Sequence, residues 1–421
     1  MSNIISMKSR LLTIIWSMIA AFATYSCMYA YRKPLSAGTF EEYTLAGIDY
    51  KVILVVMQVL GYLTAKFIGI KVISELNQRN RAWMLLSLIG ISQLALLFFA
   101  LTPFPYNFIW IFFNGLPLGF IWGIVFTYIE GRRATDVLAT FLSISFIVSS
   151  GFVKSIGRYL IEDWQIPEFW MPFSVGCIFI PFVLISAWML EQIPAPSEDD
   201  KNSRSPRVPL DKHQRKQLFS AYAFGLSAIL FVNMVLTVGR DIKDNFLVEI
   251  FRSIGMDTST GIYTQTETTI GLFVLGLLSL MVLIQKNKQA FYLIHLIMLL
   301  GLVTMLLATF LLSIGALSPF VCIVLHGIGL YTTYIVFQSL YFERFIASFR
   351  IKGNVGYLIY LSDFIGYLAS CIILIGKEFI GFSANWKYFF INMSYCVGIL
   401  GIITIILAFW YFSKKLNHEY E

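Results

Sequence analysis

Apolar residues in this chain come in long runs, separated by brief polar punctuation. A helix crossing hydrocarbon needs roughly 20 such residues at about 1.5 Å of rise each. The pattern predicts twelve of them: Leu11–Arg32, Tyr50–Leu76, Ala82–Leu101, Tyr106–Tyr128, Val137–Ile161, Phe169–Leu190, Leu218–Arg240, Thr260–Gln285, Ala290–Leu312, Ser318–Phe342, Asn354–Lys377 and Tyr388–Phe412. Nothing alternates like a barrel strand, and lipid cannot satisfy free backbone groups, so the spans are helices. The first run is too long for the apolar part of a cleavable signal. One stretch breaks the pattern: "PAPSEDDKNSRSPRVPLDKHQRKQ", Pro194 to Gln217. It is polar, charged and proline-bearing, which predicts a solvated linker. The expected domains are therefore residues 1–193, a linker at 194–217, and residues 218–421.

The spans also carry traces of a repeat. "FNGLPLGFIWGIVFTYIEGRR" from Phe113 and "LHGIGLYTTYIVFQSLYFER" from Leu325 share a glycine, an aromatic-rich middle and an acidic–basic end. Arg32 and Arg240 each close the first span of a half, and Gly151 and Gly366 lie in each fifth span. The predicted fold class is an all-α membrane protein, with twelve transmembrane helices in two pseudo-symmetric six-helix bundles.

Composition agrees with the pattern. The chain has 421 residues, 58% hydrophobic and 13% charged, with mean hydropathy +0.75, where soluble chains carry about a quarter charged residues. The net charge of +7 would suggest nucleic acid in a soluble protein; here the positive-inside bias accounts for it. One set of loops holds Lys8 and Arg10, Arg79 and Arg81, Arg132 and Arg133, Lys286 and Lys288, Arg344, Arg350 and Lys352, and Lys414 and Lys415. That asymmetry predicts a multi-pass protein of the cell membrane with both termini in the cytoplasm. Cys27, Cys177, Cys322, Cys371 and Cys396 all fall in apolar runs and read as buried thiols, with no metal or other cofactor expected. No His-Glu-x-x-His, P-loop or Gly-x-Ser-x-Gly pattern occurs, so no enzyme is predicted.

The chemistry lies in charges inside the spans, where each costs roughly 2.5–3.5 kcal/mol or more to insert. Arg32 and Arg240 can be read as snorkelling at helix ends or as binding groups. "DIKDNFLVEIF" after Arg240 has apolar residues at helical spacing, which predicts an amphipathic continuation; Pro34 is expected to kink the first helix without ending it. Two guanidiniums facing each other across a pseudo-twofold would suit an oxyanion through bidentate bonding. Four charges pair by depth. Lys66 and Asp363 lie about 5 and about 4 Å to the cytoplasmic side of their span centres, Lys154 and Glu267 about 7 and about 8 Å to the outer side. These are expected to act as cross-domain latches, or Glu267 and Asp363 as proton carriers. Lys71 and Lys377 read as snorkelled anchors. His326 reads as a hydrogen-bonded core histidine or as a cavity ligand. Trp110, Trp122, Tyr331 and Tyr334 read as packing or as cavity lining.

Several stretches resemble the organophosphate:phosphate antiporter branch of the major facilitator superfamily. "YAYRKPLSAGTF" is similar to the Arg-Lys end of that family's first helix, and "GYLTAKFIGI" to its second-helix Ser-Lys-Phe segment. "VLTVGRDIKDN" resembles the seventh-helix arginine region, "YTQTETTIGL" the eighth-helix segment, and "DFIGYLAS" the Phe-Gly-Tyr-Leu-Gly run of helix eleven. The resemblance implies the major facilitator fold. It also implies that Arg32 and Arg240 bind a phosphate moiety, with Lys33, Lys66 and Glu267 tuning the cavity. The chain departs from that family at Phe146, where the family has histidine, at Lys154, where it has no lysine, and at Asp363, where it has glycine. Pro34 replaces an asparagine, and of the Gly-Asp-Arg-Arg signature after the second span only a remnant stands in "GIKVISELNQRNR".

The expected function is a secondary active transporter moving a small anionic solute (organophosphate, phosphate or carboxylate-like) by alternating access. Arg32, Lys33, Arg240, Lys66, His326 and Tyr331 would bind, and Lys154, Glu267 and Asp363 would couple or gate. The expected partners are the solute, the bilayer, and protons or exchanged phosphate; the protein is expected to be monomeric and to bind no nucleic acid. The alternative is a transporter-shaped anion receptor, which binds ligand in liposomes without moving it.

Overall fold

The computed structural model describes the chain apart from residues 1, 75–79, 130–131, 133–134, 196–199, 201–211, 257–258, 282–283, 285, 352–355, 380–384 and 421. Most of the expected linker, with Lys201, Arg204 and Arg207, lies outside the described residues, as do Arg79, Arg133 and Lys352.

The long helices follow the apolar runs: α1 (Ser2–Arg32), α2 (Tyr50–Ser74), α3 (Arg81–Leu101), α4 (Phe108–Ile129), α5 (Thr135–Glu162) and α6 (Met171–Glu191). After them come the short α7 (Lys212–Ala221), α8 (Ala223–Asn245), the short α9 (Leu247–Ser253), α10 (Ile262–Met281) and α11 (Asn287–Ser313). Next is α12 (Pro319–Val336), continued through a π-helical turn at Phe337–Tyr341 into α13 (Phe342–Ser348), and then α14 (Gly356–Phe379) and α15 (Trp386–Tyr420). Among the described residues, eleven spans are long and apolar enough to cross a membrane. The twelfth expected span, α10, falls short because its first two turns read Tyr-Thr-Gln-Thr-Glu-Thr-Thr. The remaining structure is local. β1 (Thr44–Leu45) and β2 (Ile48–Asp49) form an antiparallel hairpin, with Thr44 opposite Asp49.

The chain divides into two compact units, Met1–Arg204 with Ser259–Thr268, and Ser205–Thr258 with Thr269–Glu421. Each has its own core. In the first unit, Met28, Ile121, Ile124, Leu142, Val153 and Met171 belong to one buried apolar cluster. Phe40, Tyr50, Leu54 and Phe99 belong to a second. The outward faces carry large apolar side chains, such as Phe182, Leu184, Ile185 and Trp188 on α6 and Leu300, Leu307 and Phe310 on α11. Water would not tolerate faces of that extent, whereas hydrocarbon suits them.

Lipid offers no hydrophobic drive for helix pairing, so small residues must let backbones approach. In the first unit α2 and α4 do this through Gly61, Gly115 and Gly119. A Cβ at Gly115 would strike the Gln58 carbonyl, and one at Gly61 the Phe112 carbonyl. In the second unit Gly301 of α11 and Gly329 of α12 face each other's backbone. Helix ends are closed locally. Ser318 accepts a hydrogen bond from the Val321 N–H, with Pro319 behind it at the first helical position, as a capped start requires. At the end of α11, Gly315 (φ +67°) lets its own N–H reach the Leu312 carbonyl and that of Ala316 reach Leu311. This is a Schellman closure, which needs the left-handed conformation.

Four expectations change. Pro34 does end the first helix: α1 stops at Arg32 and Pro34 opens a 3-10 turn, Pro34–Ser36, because a proline ring offers no N–H to carry the ladder on. The continuation after Arg240 is real, but it is buried on every side from Arg240 to Phe251 and breaks at Phe246. Lys377 does not snorkel: it is buried, pairs with Glu378 at 2.8 Å and lies 4.2 Å from the Trp386 ring centre. Of the cysteines, Cys27, Cys322 and Cys371 are buried, whereas Cys177 and Cys396 are exposed on outward faces.

Replacing Gly115 by leucine should lower stability by about 1–3 kcal/mol, the cost of overpacking a tight contact, read as a drop in the unfolding midpoint of the purified protein. Gly90→Leu, where a Cβ would meet nothing within 4 Å, should leave the midpoint unchanged.

Candidate functional site

In the first unit the site is built on the end of α1. The last carbonyls of a helix have no partner within it, and here amides from two other helices supply donors. Asn114 of α4 donates to the Tyr31 carbonyl at 3.0 Å and to Ser92 Oγ at 2.6 Å. Gln58 of α2 donates to the Arg32 carbonyl at 3.1 Å and to Asn114 Oδ1 at 2.8 Å. This network fixes the backbone from which Arg32 projects. Its guanidinium carbon lies 4.3 Å from the Tyr62 ring centre. Lys66, one turn further along α2, lies 5.5 Å from the same ring and 5.5 Å from that of Trp122, which stacks on Phe126 at 4.9 Å. Aromatic faces attract desolvated cations by about 0.5–2 kcal/mol.

The segment after Arg32 is buried through Phe40 and tied to its surroundings. Lys51 donates to the Ser36 carbonyl at 3.0 Å, and Arg158 to that of Ala37 at 3.4 Å. The Glu168 carboxylate accepts the backbone N–H of Thr39 at 2.7 Å and of Phe40 at 2.8 Å. Lys33 itself is 3% exposed.

Among the described residues, the buried charged side chains of the first unit are Arg32, Lys33, Lys51, Lys66, Arg132, Lys154 and Arg158 against one acid, Glu267. Arg158 also pairs with Glu162. Arg132 lies outside the spans and donates to the Pro194 carbonyl; burial pulls its pKa below the ordinary arginine value, with the Asp200 charge opposing. Lys154 and Glu267 are both fully buried in this unit. A Cβ on Gly151 would lie 2.6 Å from Glu267 Cβ, and Ser155 Oγ takes the Thr264 N–H at 3.1 Å. The outer turns of α10 thus group with α5.

The second unit is built on α8. Arg240 donates through Nε at 3.2 Å and Nη2 at 2.6 Å to one oxygen of Asp241, and through Nη1 to the Tyr334 hydroxyl. Its guanidinium carbon is 4.5 Å from the Tyr334 ring centre and 5.3 Å from that of Tyr367. Gln338, in the π-helical turn that follows α12, donates to Asp363 Oδ1 at 3.0 Å and reaches Tyr334 Oη and Asn233 Oδ1 at 3.4 Å each. Such turns are enriched at functional sites. A second cation, Lys243, lies 5.0 Å from the Tyr331 ring centre. His326 shares a hydrogen bond with Ser394 Oγ at 2.9 Å and lies against Phe390. Here the buried charges are Arg240, Lys243 and Lys377 with Asp241, Asp244, Glu249 and Asp363. Among the described residues, no three His, Cys, Asp or Glu side chains are grouped to hold a metal ion.

The residues expected from sequence therefore fall into local sets. Arg32 and Lys66 share Tyr62. Tyr331 partners Lys243 rather than an arginine. Asp363 is held by Gln338. The reading missed Tyr62, Asp241, Gln338 and Tyr367. Spacing could have found three of them: Tyr62 stands four before Lys66, Gln338 four after Tyr334, and Tyr367 four after Asp363, each pair on one helix face.

These units have known counterparts. A D-xylose-proton symporter superposes with a TM-score of 0.63 at 13% identity, covering 94% of this chain and 97% of that one. Nucleoside transporter NupG superposes at 0.60 with 15% identity, covering 94% and 98%, and a point mutant of the same transporter at 0.62 with 14% identity, covering 95% and 100%. At such identities the likeness is one of fold, and the fold is the twelve-helix major facilitator fold of an all-α, multi-pass membrane protein. No curated protein sequence matches the chain. A family model matches residues 34–415, and the chain belongs to that family, DUF5690, a family of unknown function.

Reversing one charge, in Lys154→Glu or Glu267→Lys, should place like charges in a buried region and cost about 3–5 kcal/mol, the scale for breaking a buried pair. The double swap should recover most of the lost unfolding midpoint, and a double variant no better than the singles would mean that the two side chains do not interact.

Proposed function

We propose that this protein is a secondary active transporter of a small anionic solute, working by alternating access in the cell membrane as a monomer, with both termini in the cytoplasm. The observation that carries the anion is the charge imbalance of the first unit, where, among the described residues, seven buried cations accompany Glu267 alone. Burying a charge costs several kcal/mol, roughly 2.5 or more at a span centre, and an imbalance of one sign makes a site that favours the opposite charge. Arg158 and Arg132 are held by neighbouring structure, and Arg32, Lys33 and Lys66 form the binding set of that unit. Arg240, with Tyr334 beside it, is the binding cation of the second.

Solved structures that share the fold include a D-xylose-proton symporter and a nucleoside transporter, which supports transport as the activity. The motif resemblance at Arg32, Lys66 and Arg240 supports a phosphate-bearing solute. A planar guanidinium matches the oxygens of phosphate or carboxylate with two parallel bonds, whereas an ammonium is a point charge. His326 and Tyr331 contribute to the second unit's set, and Lys154, Glu267 and Asp363 act in gating.

The test combines binding with flux. Inorganic phosphate and a panel of phosphorylated and carboxylated metabolites are screened by thermal unfolding, where a ligand at 100 times its Kd stabilises by about 2.7 kcal/mol. Hits are then followed in proteoliposomes. Arg32→Lys and Arg240→Lys should each cut uptake at least about tenfold, the loss of one bidentate contact. Undiminished uptake in both variants would overturn the assignment. A hit that stabilises the protein but never crosses the membrane would make it a receptor instead.

A further inference from the structure

Asp241 is a buried acid that the sequence reading passed over. It is 3% exposed. Both Arg240 contacts, from Nε and Nη2, end on the same oxygen, Oδ1. The other oxygen, Oδ2, is buried and has no hydrogen-bond partner among the described residues. Buried carboxylate oxygens ordinarily accept several hydrogen bonds, and an unsatisfied one is costly to keep unless it is used. The same carboxylate occupies the Nε–Nη2 edge of the guanidinium, an edge suited to the oxygens of an incoming anion. Asp241 thus stands where a solute's negative group would bind, and it keeps one lone-pair site open.

We propose that Asp241 is the proton-coupling carboxylate of this transporter, holding the Arg240 fork while ionised and releasing it to the anionic solute when Oδ2 takes up a proton. The proposal rests on the reading of the chain as an anion transporter and commits it to proton symport. A proton from water on one side forms the O–H bond at Oδ2, and the same bond breaks to water on the other side; nothing is oxidised or reduced. One proton enters for each negative charge that replaces Asp241 on the guanidinium. The coupling is reciprocal: protonation favours the anion on Arg240, and the anion favours protonation.

The groups around Asp241 suit this exchange. Its own helix supplies Arg240, Lys243 and Asp244. From α12, Tyr334 bonds the guanidinium. From α14, Tyr367 lies near Arg240, and Cys371 is within electrostatic reach of Asp241. Asp363, also on α14, is already taken up by Gln338. Where α15 packs on this part of α8 it brings Val397, against Gly239.

The decisive measurement needs no solute: infrared difference spectroscopy of the full-length protein in lipid nanodiscs as the pH is lowered. A carbonyl band of a protonated, buried carboxylic acid should grow in. Asp241→Asn should remove it, and Asp241→Glu should keep it at a shifted frequency. A band unchanged in Asp241→Asn, or no such band in the native protein, would overturn the proposal. If Asp241→Asn does not fold, as judged by size exclusion, an unmoved frequency in Asp241→Glu overturns it equally. Because the probe is the proton alone, this outcome is separate from that of the uptake assays on the arginine variants.

Discussion

A charged group carried into a hydrocarbon slab must be given partners by the protein, because the solvent will not supply them. Arg32 and Arg240 show how that demand is met in each unit. Arg32 lies over Tyr62, on a backbone held by Gln58 and Asn114. Arg240 is held by Asp241 and Tyr334. The glycines matter for the same reason. Gly115 brings α2 and α4 to backbone contact, which is what lets Gln58 and Asn114 meet and close the end of α1. A bulkier residue there would displace the amides before it displaced the arginine.

The two units answer the demand differently. In the first, Arg32 and Lys66 lie against aromatic rings and Lys51 donates to a backbone carbonyl, while Arg158 pairs with Glu162. In the second, cations and acids are nearly matched in number among the described residues, and the arginine is joined directly to a carboxylate. A neutral partner stabilises a cation without cancelling its field; a carboxylate cancels it at short range and can be discharged by a proton.

Much of the fold was legible because lipid leaves so few choices. Apolar runs of sufficient length had to be helices, and among the described residues eleven of the twelve expected spans have the length and apolarity to cross. The twelfth, α10, shows why the apolar pattern understates a helix at a working position: Tyr263 to Thr269 are polar because that face packs on α5 through Ser155 and Gly151. The end of α1 was misjudged because proline inside a span is often tolerated; here Pro34 opens a 3-10 turn, and side chains from elsewhere hold the segment after it. Lys377 was misjudged because its aromatic partner, Trp386, belongs to the next helix.

The charged residues themselves were easy to find in the sequence, since any charge within an apolar run stands out. Their pairings were not. Depth along a helix says nothing about rotation around it, so height alone did not reveal that Asp363 accepts a hydrogen bond from Gln338, a neutral residue in a π-helical turn. Asp241 escaped for a different reason. It adjoins Arg240 in sequence, and adjacent residues on a helix ordinarily point some 100° apart, so a direct pair between them is not the first expectation. That the guanidinium nevertheless folds back onto its neighbour, past the Tyr334 ring, indicates a strong pull from a desolvated carboxylate. The pair therefore had to be read from the structure, where Arg240 Nε and Nη2 both end on Asp241 Oδ1.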